Sequence, residues 1–328
     1  MSIREKTASH VQTLLINLRS GPLQQPTELL RLSAQGTAKW QALIIPGNPG
    51  VASFYIPLMQ GLYNKLGGLA DVFCISQLGH NPQCSMHLHQ GSCNLKDQIQ
   101  HKAAFIKEHM LLPGRPPAFV VGHSIGAYMA LHAAYQIGQE CLHTEGIPEV
   151  SQIFAVCPFL AFDASNARQR FLRFVTRQPA MLGSLAALLG SLPQTVQRWI
   201  VSTHLRGLEP HARDAALGLL QWQPAVNALH LAKHEFIDLD SPAEWWLLKH
   251  FSTRVTVLCA PGDMWFPDAA YSEMQRVVPG VQALMLKGQR HSFCTSTLLS
   301  SAMADACTTI LEDVARKPQA EAASAIMT

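Results

Sequence analysis

Residues 118–134 read AFVVGHSIGAYMALHAA. A short apolar run of strand character leads into Gly122-His123-Ser124-Ile125-Gly126, and residues with helical spacing follow. A Gly-x-Ser-x-Gly pentapeptide between a strand and a helix is the pattern of a nucleophile elbow. Gly122 and Gly126 relieve crowding so that a tight turn projects the Ser124 hydroxyl, with the positive end of a helix behind it. Ser124 is the candidate nucleophile, and Gly122, His123 and Gly126 form the elbow around it. The same letters also fit a serine that merely caps a helix; the strand before and the helix after favour the elbow.

Working outward, apolar runs of strand length recur at 38–47 (AKWQALIIPG), 71–80 (DVFCISQLGH), 152–160 (QIFAVCPFL), 254–263 (RVTVLCAPGD) and 281–288 (VQALMLKG). Continuous Val, Ile, Leu and Phe runs separated by helical patterns mark a mostly parallel sheet with helices on both faces, an α/β class. The pair LLINLR (14–19) and ELLRLSA (28–34), divided by SGPLQQP, predicts an antiparallel hairpin at the sheet edge. Between Leu160 and Arg254 the chain shows helical spacing and no clear strand, as in FLRFVTRQ, MLGSLAALLGSL and QTVQRWIVSTHL. The expected organisation is a core of residues 1–160 and 251–315, an inserted helical cap of 161–250, and a frayed tail of 316–328, where ARKPQAEAASAIMT is small, polar and aperiodic.

A serine hydroxyl attacks poorly unless a base takes its proton, and on this kind of scaffold the order along the chain is Ser, then Asp or Glu, then His. Asp263 directly follows the apolar strand VTVLCAPGD. Asp163, Asp214, Asp238, Asp240 and Asp268 also satisfy the order, but none follows so clear a strand. Beyond Asp263 the chain has one histidine, His291, in the loop KGQRHSF. His291 is the candidate general base, and Asp263 the group that sets its tautomer. Taken alone, Asp263 fits a turn and His291 a surface loop; together with Ser124 they fall at three strand ends. The oxyanion needs donors, for which the Ile125 amide and one from the turn IIPGNPGV (Asn48, Gly50 or Val51) are the candidates; Pro49 has no N–H.

The composition excludes several classes. The chain has 328 residues, with 25 Lys+Arg against 22 Asp+Glu, and no basic cluster of the kind that binds nucleic acid. Charged residues make up 14%, below the roughly 25% of an average soluble domain, which favours an apolar partner. Eight cysteines lack CxxC or zinc spacing and read as buried free thiols. His80, His87, His89 and His101 crowd a region with Cys84 and Cys93, yet their spacing matches no common metal site, so no metal or cofactor is expected. His80 is expected at the active-site mouth, and Gln98 and His101 behind the elbow or in solvent. Trp265 and Phe266 fit either an acyl pocket or core packing. The opening MSIREKTASH has no apolar run, so no secretory signal is expected and the protein should stay on the cytosolic side. The richest apolar segment, Met181 to Leu192, is short of the roughly 18 residues a span needs; it suits lying on a membrane rather than crossing it.

The segments IPGNPGVASFY (45–55), NLKDQIQHKAAFI (94–106) and GHSIG together closely resemble the lipid droplet-associated hydrolases, a branch of the α/β-hydrolase superfamily. The likeness runs from about Ala42 to the His291 loop, and PGNPG followed by FY is its most specific marker. The resemblance implies an α/β-hydrolase fold, a triad at Ser124, Asp263 and His291, association with lipid droplets and endoplasmic reticulum, and substrates among sterol esters or other neutral lipid esters. The expected function is thus a serine ester hydrolase working through an acyl-enzyme, its apolar cap meeting the lipid surface. The alternative is a droplet-associated lipid-binding or organising protein with little catalysis on the same scaffold, because fold alone does not establish function.

Overall fold

The computed structural model describes residues 10–20, 25–85, 93–141, 149–205 and 207–326. Within them, eight strands form one sheet: β1 (Gln12–Ile16), β2 (Thr27–Leu32), β3 (Trp40–Ile45), β4 (Ala70–Ile75), β5 (Ala118–His123), β6 (Val150–Val156), β7 (Val255–Cys259) and β8 (Gln282–Met285). Their order is β1-β2-β4-β3-β5-β6-β7-β8. β1 and β2 pair antiparallel at one edge, β2 is antiparallel to β4, and all later pairings are parallel. Each apolar run read as a strand is one of these, and the early pair is the edge hairpin.

Alternation along the strands divides the core in two. Leu43, Ile45, Val120 and Ile153 point to one face, and Ala42, Ile44, Val121 and Phe154 to the other. Strands β3 to β7 are buried almost throughout because both faces are covered, whereas β1 at the edge is largely exposed.

The helices in chain order are α1 (Ile56–Lys65), α2 (Pro82–Ser85), α3 (Leu95–Phe105), α4 (Ile125–Cys141), α5 (Ala167–Val175), α6 (Pro179–Gly190), α7 (Gln194–His204), α8 (Pro210–Gly218), α9 (Trp222–Asp238), α10 (Trp245–His250), α11 (Asp268–Val277) and α12 (Thr297–Ile326). α1 and α12 pack together over one face; α3, α4 and α11 cover the other. Between β6 and β7 the described chain holds α5 to α10 and no strand. α9 packs against α6, α2, α3 and α5, and its buried side, with Asn227, Leu231, Glu235 and Phe236, faces inward. No helix among the described residues is long and apolar enough to cross a membrane. The six cysteines whose burial is described are free and buried.

One expectation differs. A frayed tail is expected from residue 316, yet α12 continues to Ile326. Met303, Ala304, Cys307 and Leu311 anchor its first half in the core. Once a helix is nucleated, each further non-proline residue that joins it gains a backbone hydrogen bond, and the end carries four alanines, the best helix formers.

Candidate active site

Ser124 is the single residue between β5 and α4, and its φ is +55°. A side chain in that left-handed region is strained, and the surroundings hold it there. The Ser124 amide donates to the Val156 carbonyl at 3.0 Å, and its carbonyl accepts from Ala127 at 3.0 Å and Phe159 at 3.2 Å. The glycines are demanded by close approach. A Cβ on Gly122 would lie 2.4 Å from the Gly126 carbonyl oxygen, and one on Gly126 would lie 2.3 Å from that of Ile45. The strand before the elbow, the helix after it and the exit of β3 all crowd one point.

Three strand ends converge on Ser124. Asp263 follows β7, with Oδ1 accepting from the Trp265 amide at 2.9 Å and Oδ2 2.7 Å from His291 Nδ1. His291 follows β8, and its Nε2 lies 3.1 Å from Ser124 Oγ. An ionised carboxylate only accepts, so Nδ1 carries the proton and Nε2 is free to accept from the serine hydroxyl. Asp263 is almost wholly buried while His291 keeps an exposed edge toward the cavity. The rival acids lie elsewhere: Asp163 and Asp240 line a neighbouring cavity beyond Trp265, Asp214 pairs with Arg198, and Asp238 and Asp268 are exposed at the end of α9 and the start of α11.

The chain leaving β3 crosses over the serine. A Cβ on Gly47 would come within 2.9 Å of Ser124 Cβ, and Asn48 and Pro49 line one cavity with Ser124 and His291. After Pro49 the backbone turns away. Gly50, at φ +72°, backs onto Gln77 and His80, and its carbonyl accepts from the Gln77 amide at 2.7 Å. Val51 is buried at the start of the turn that follows. Of the three candidates for the second donor, Asn48 is brought to the serine and Gly50 and Val51 are not. Ile125 opens α4 directly beside Ser124, where a first-turn amide has no partner within the helix.

A relay that sequence patterns did not single out holds these parts together. Gly47 N–H donates to Tyr55 Oη at 2.9 Å, and Tyr55 Oη is 2.6 Å from His123 Nδ1. His123 Nε2 is 2.9 Å from the His291 carbonyl. A carbonyl only accepts, so Nε2 is the donor and Nδ1 receives the tyrosine proton. Burial, with the nearby His291 adding to it, pushes the His123 pKa well below the ordinary range, which keeps this tautomer neutral. Tyr55 stands in the quoted GVASFY segment, and its hydroxyl was the available signal.

Other expectations are corrected. His80 is fully buried beneath the Asn48 turn, where Nδ1 donates to the Pro49 carbonyl at 2.7 Å, so it supports that turn rather than bordering the mouth. Burial lowers its pKa to about 4. Gln98 is buried against Leu78, donating to its carbonyl and accepting from its amide. His101 is buried against Thr27 and Lys102. Of the two readings, elbow support or solvent, the solvent one is excluded: both lie on the buried side of α3, which packs against α4, the helix that follows the elbow. Trp265 lines the cavity of Ser124 and lies with its ring 6.0 Å from that of His291, whereas Phe266 belongs to the core. Of the histidine-rich region, His87 and His89 lie outside the described residues.

The cavity over Ser124 is about 340 Å³. The core supplies Phe159 and Trp265, and the segment between β6 and β7 supplies Leu172, Thr176, Ala228, Leu229, Ala232, Glu235 and Phe236. Cys157, at φ +43°, places its thiol within 4.8 Å of donor atoms of Asp263 and His291. Burial and the Asp263 charge push that thiol's pKa up, which opposes the thiolate a metal needs.

Comparisons with known proteins follow the same lines. A family model described as "Lipid-droplet associated hydrolase" matches residues 38–294. A lipid droplet-associated hydrolase of Rattus norvegicus is 27% identical over 277 residues, covering 79% of this chain and 82% of that protein. One of Homo sapiens is 25% identical over 321 residues, covering 90% and 91%. Among solved structures, a soluble variant of monoglyceride lipase from Saccharomyces cerevisiae superposes with a TM-score of 0.59 at 12% identity, covering 94% of this chain and 98% of that one. At that identity the likeness is one of fold.

Proposed function

The chain belongs to the lipid-droplet associated hydrolase family and has an α/β-hydrolase fold, and from that premise we propose that it is a serine carboxylic ester hydrolase for neutral lipid esters of the sterol ester or acylglycerol type. One observation carries the proposal: Ser124, His291 and Asp263 form a continuous relay that opens on an apolar cavity.

The chemistry follows from the relay. As Ser124 Oγ bonds to the ester carbonyl carbon, its proton passes to His291 Nε2 and the carbonyl electron pair moves to oxygen. The Ile125 and Asn48 amides receive that oxyanion, and Asp263 stabilises the imidazolium. The tetrahedral intermediate collapses, and the leaving alkoxide takes the proton from Nε2. Water gives a proton to His291 Nε2 as it bonds to the acyl carbon, and when the acyl–Oγ bond breaks Ser124 takes that proton back, so a carboxylic acid leaves and the serine is restored.

About 340 Å³ is at the small end of ligand cavities, so it houses the ester and part of the acyl chain while the bulk of a neutral lipid extends outward. We assign residues 161–250 as a cap and its outer side as the contact with a lipid droplet or endoplasmic reticulum surface, on the cytosolic face. Phe171, Phe174, Met181, Leu185, Leu188 and Trp199 are each more than half exposed there, an apolar surface that supports this reading.

The test is labelling by a fluorophosphonate probe together with turnover of a panel of sterol esters and acylglycerols, comparing wild type with Ser124→Ala. Wild type is expected to label and to hydrolyse at least one ester class, and the variant to do neither. A wild type without Ser124-dependent labelling would leave the lipid-organising role on the same scaffold.

A further inference from the structure

Among the described residues, no cation is paired with the carboxyl group of Glu235. Glu235 lies on α9, is 5% exposed, and lines the same cavity as Ser124 and His291. Its partner is Asn48, whose Nδ2 donates to Glu235 Oε1 at 3.0 Å and to the Ala228 carbonyl at 2.8 Å. Both N–H groups of this side-chain amide therefore go to α9, while the main chain of the same residue stands beside the nucleophile.

The ionisable groups around it are engaged elsewhere or point to solvent. α6 carries none, and α2 carries no carboxylate, amine or imidazole. On α5, Arg168 is exposed, Arg170 donates to the Ala164 and Ser165 carbonyls, and Arg173 pairs with Asp240. On α3, Lys96 is exposed, Asp97 closes the capping box with Asn94, and Lys102 donates to the Ser76 carbonyl, with His101 beside it. On α9 itself His230, Lys233 and His234 are half-buried and Asp238 is exposed. Across the cavity, His291 is bonded to Asp263.

We propose that Glu235 is a positioning residue for ester hydrolysis: in its neutral form it holds Asn48 against α9 so that the Asn48 amide can receive the oxyanion, and in its ionised form it sets a negative charge against that oxyanion. The inference rests on the ester-hydrolase reading above. Burial raises the Glu235 pKa to about 8, with the Asn48 hydrogen bond opposing the rise. At neutral pH the group is thus an uncharged acid, able to accept from Asn48 without repelling the oxyanion. Above about pH 8 it becomes an anion in an apolar cavity, where charge repulsion is poorly screened.

The experiment is the pH profile of kcat for a soluble short-chain p-nitrophenyl ester, with the rate of fluorophosphonate labelling beside it, for wild type, Glu235→Gln and Glu235→Leu. Wild type is expected to lose activity above about pH 8, approaching about tenfold per pH unit. Glu235→Gln, isosteric and always neutral, should stay within about threefold of wild type at pH 7 and lack the alkaline fall. Glu235→Leu, unable to accept from Asn48, should lose about tenfold or more in kcat with KM little changed. An alkaline fall that persists in Glu235→Gln would assign it to another group, such as Lys102, and overturn the proposal, and that comparison stands even if the leucine variant does not fold. A folded Glu235→Leu with wild-type kcat would overturn it as well. A wild type that never labels sinks the ester-hydrolase reading and this inference together; labelling and turnover with identical wild-type and Gln profiles sink this inference alone.

Discussion

His123 Nε2 donates to the main-chain carbonyl of His291 across 2.9 Å, and the two imidazoles lie 4.9 Å apart. The residue just before Ser124 thereby holds the backbone of His291. Through Tyr55 the same histidine is tied to Gly47, on the turn that passes over the serine. One chain of hydrogen bonds links the turn at Gly47, the elbow residue beside Ser124 and the backbone of His291.

Replacing His123 by Phe keeps a ring but removes the donor to His291. We expect kcat/KM for a soluble ester to fall roughly tenfold to a hundredfold, because small displacements of a base have effects of that order. Steady-state kinetics with a circular dichroism check of folding measures it; unchanged kcat/KM would remove His123 from the positioning relay.

Tyr55→Phe leaves the Gly47 amide and His123 Nδ1 buried without partners. The expected loss of stability is about 2 kcal/mol, since each unsatisfied buried group costs roughly 1–3 kcal/mol and water relaxes part of it. Urea unfolding monitored by tryptophan fluorescence reads the change.

Ser124 holds a positive φ that glycine adopts freely. Ser124→Gly should abolish turnover and raise stability by about 1 kcal/mol, the scale of left-handed strain in a residue with a Cβ. Gly126→Ala should act oppositely and destabilise by about 2 kcal/mol or more, because its Cβ meets the Ile45 carbonyl. Thermal melts of the two variants, moving in opposite directions, check both.

Stability should also report Glu235. Its carboxyl keeps a proton in the fold up to about pH 8 but ionises near 4.5 once unfolded. Between those values the folded state binds more protons, so raising the pH through this window weakens the fold. Glu235→Gln removes the term: its melting temperature should exceed wild type by a few degrees above pH 8, and the gap should close toward pH 4.5. A gap independent of pH would contradict the assignment.

Charge on the outer cap should separate surface binding from chemistry. Leu188→Glu combined with Phe174→Glu should weaken flotation with neutral-lipid emulsions about tenfold or more while hydrolysis of a soluble ester stays within about twofold. Both side chains are mostly exposed, so the fold tolerates the change. Equal flotation of variant and wild type would move the lipid contact off this surface.

Features carried by neighbours in the chain were legible in advance. Continuous apolar runs, broken by helical spacing, identify β3 to β8 and the helical segment before β7, because burial on both faces of the central strands demands such runs. The elbow was equally legible, since Gly122, Ser124 and Gly126 act within one turn. Asp263 and His291 could be named because each follows a strand, and parallel strands deliver their C-terminal ends to one edge.

What only the tertiary structure decided are the contacts between residues far apart in sequence: that Asn48 rather than Gly50 or Val51 lines the cavity of Ser124, that His80 lies under that turn instead of at the mouth, that Tyr55 and the His291 carbonyl are the partners of His123, and that Glu235 meets Asn48. Asn48 and Glu235 are 187 positions apart, and nothing in either neighbourhood marks the other. Local periodicity encodes which side of an element is buried; it does not encode what is buried against it. That partner is chosen by packing and by the need of each buried polar group for a hydrogen bond, and both are satisfied only when the whole chain has closed.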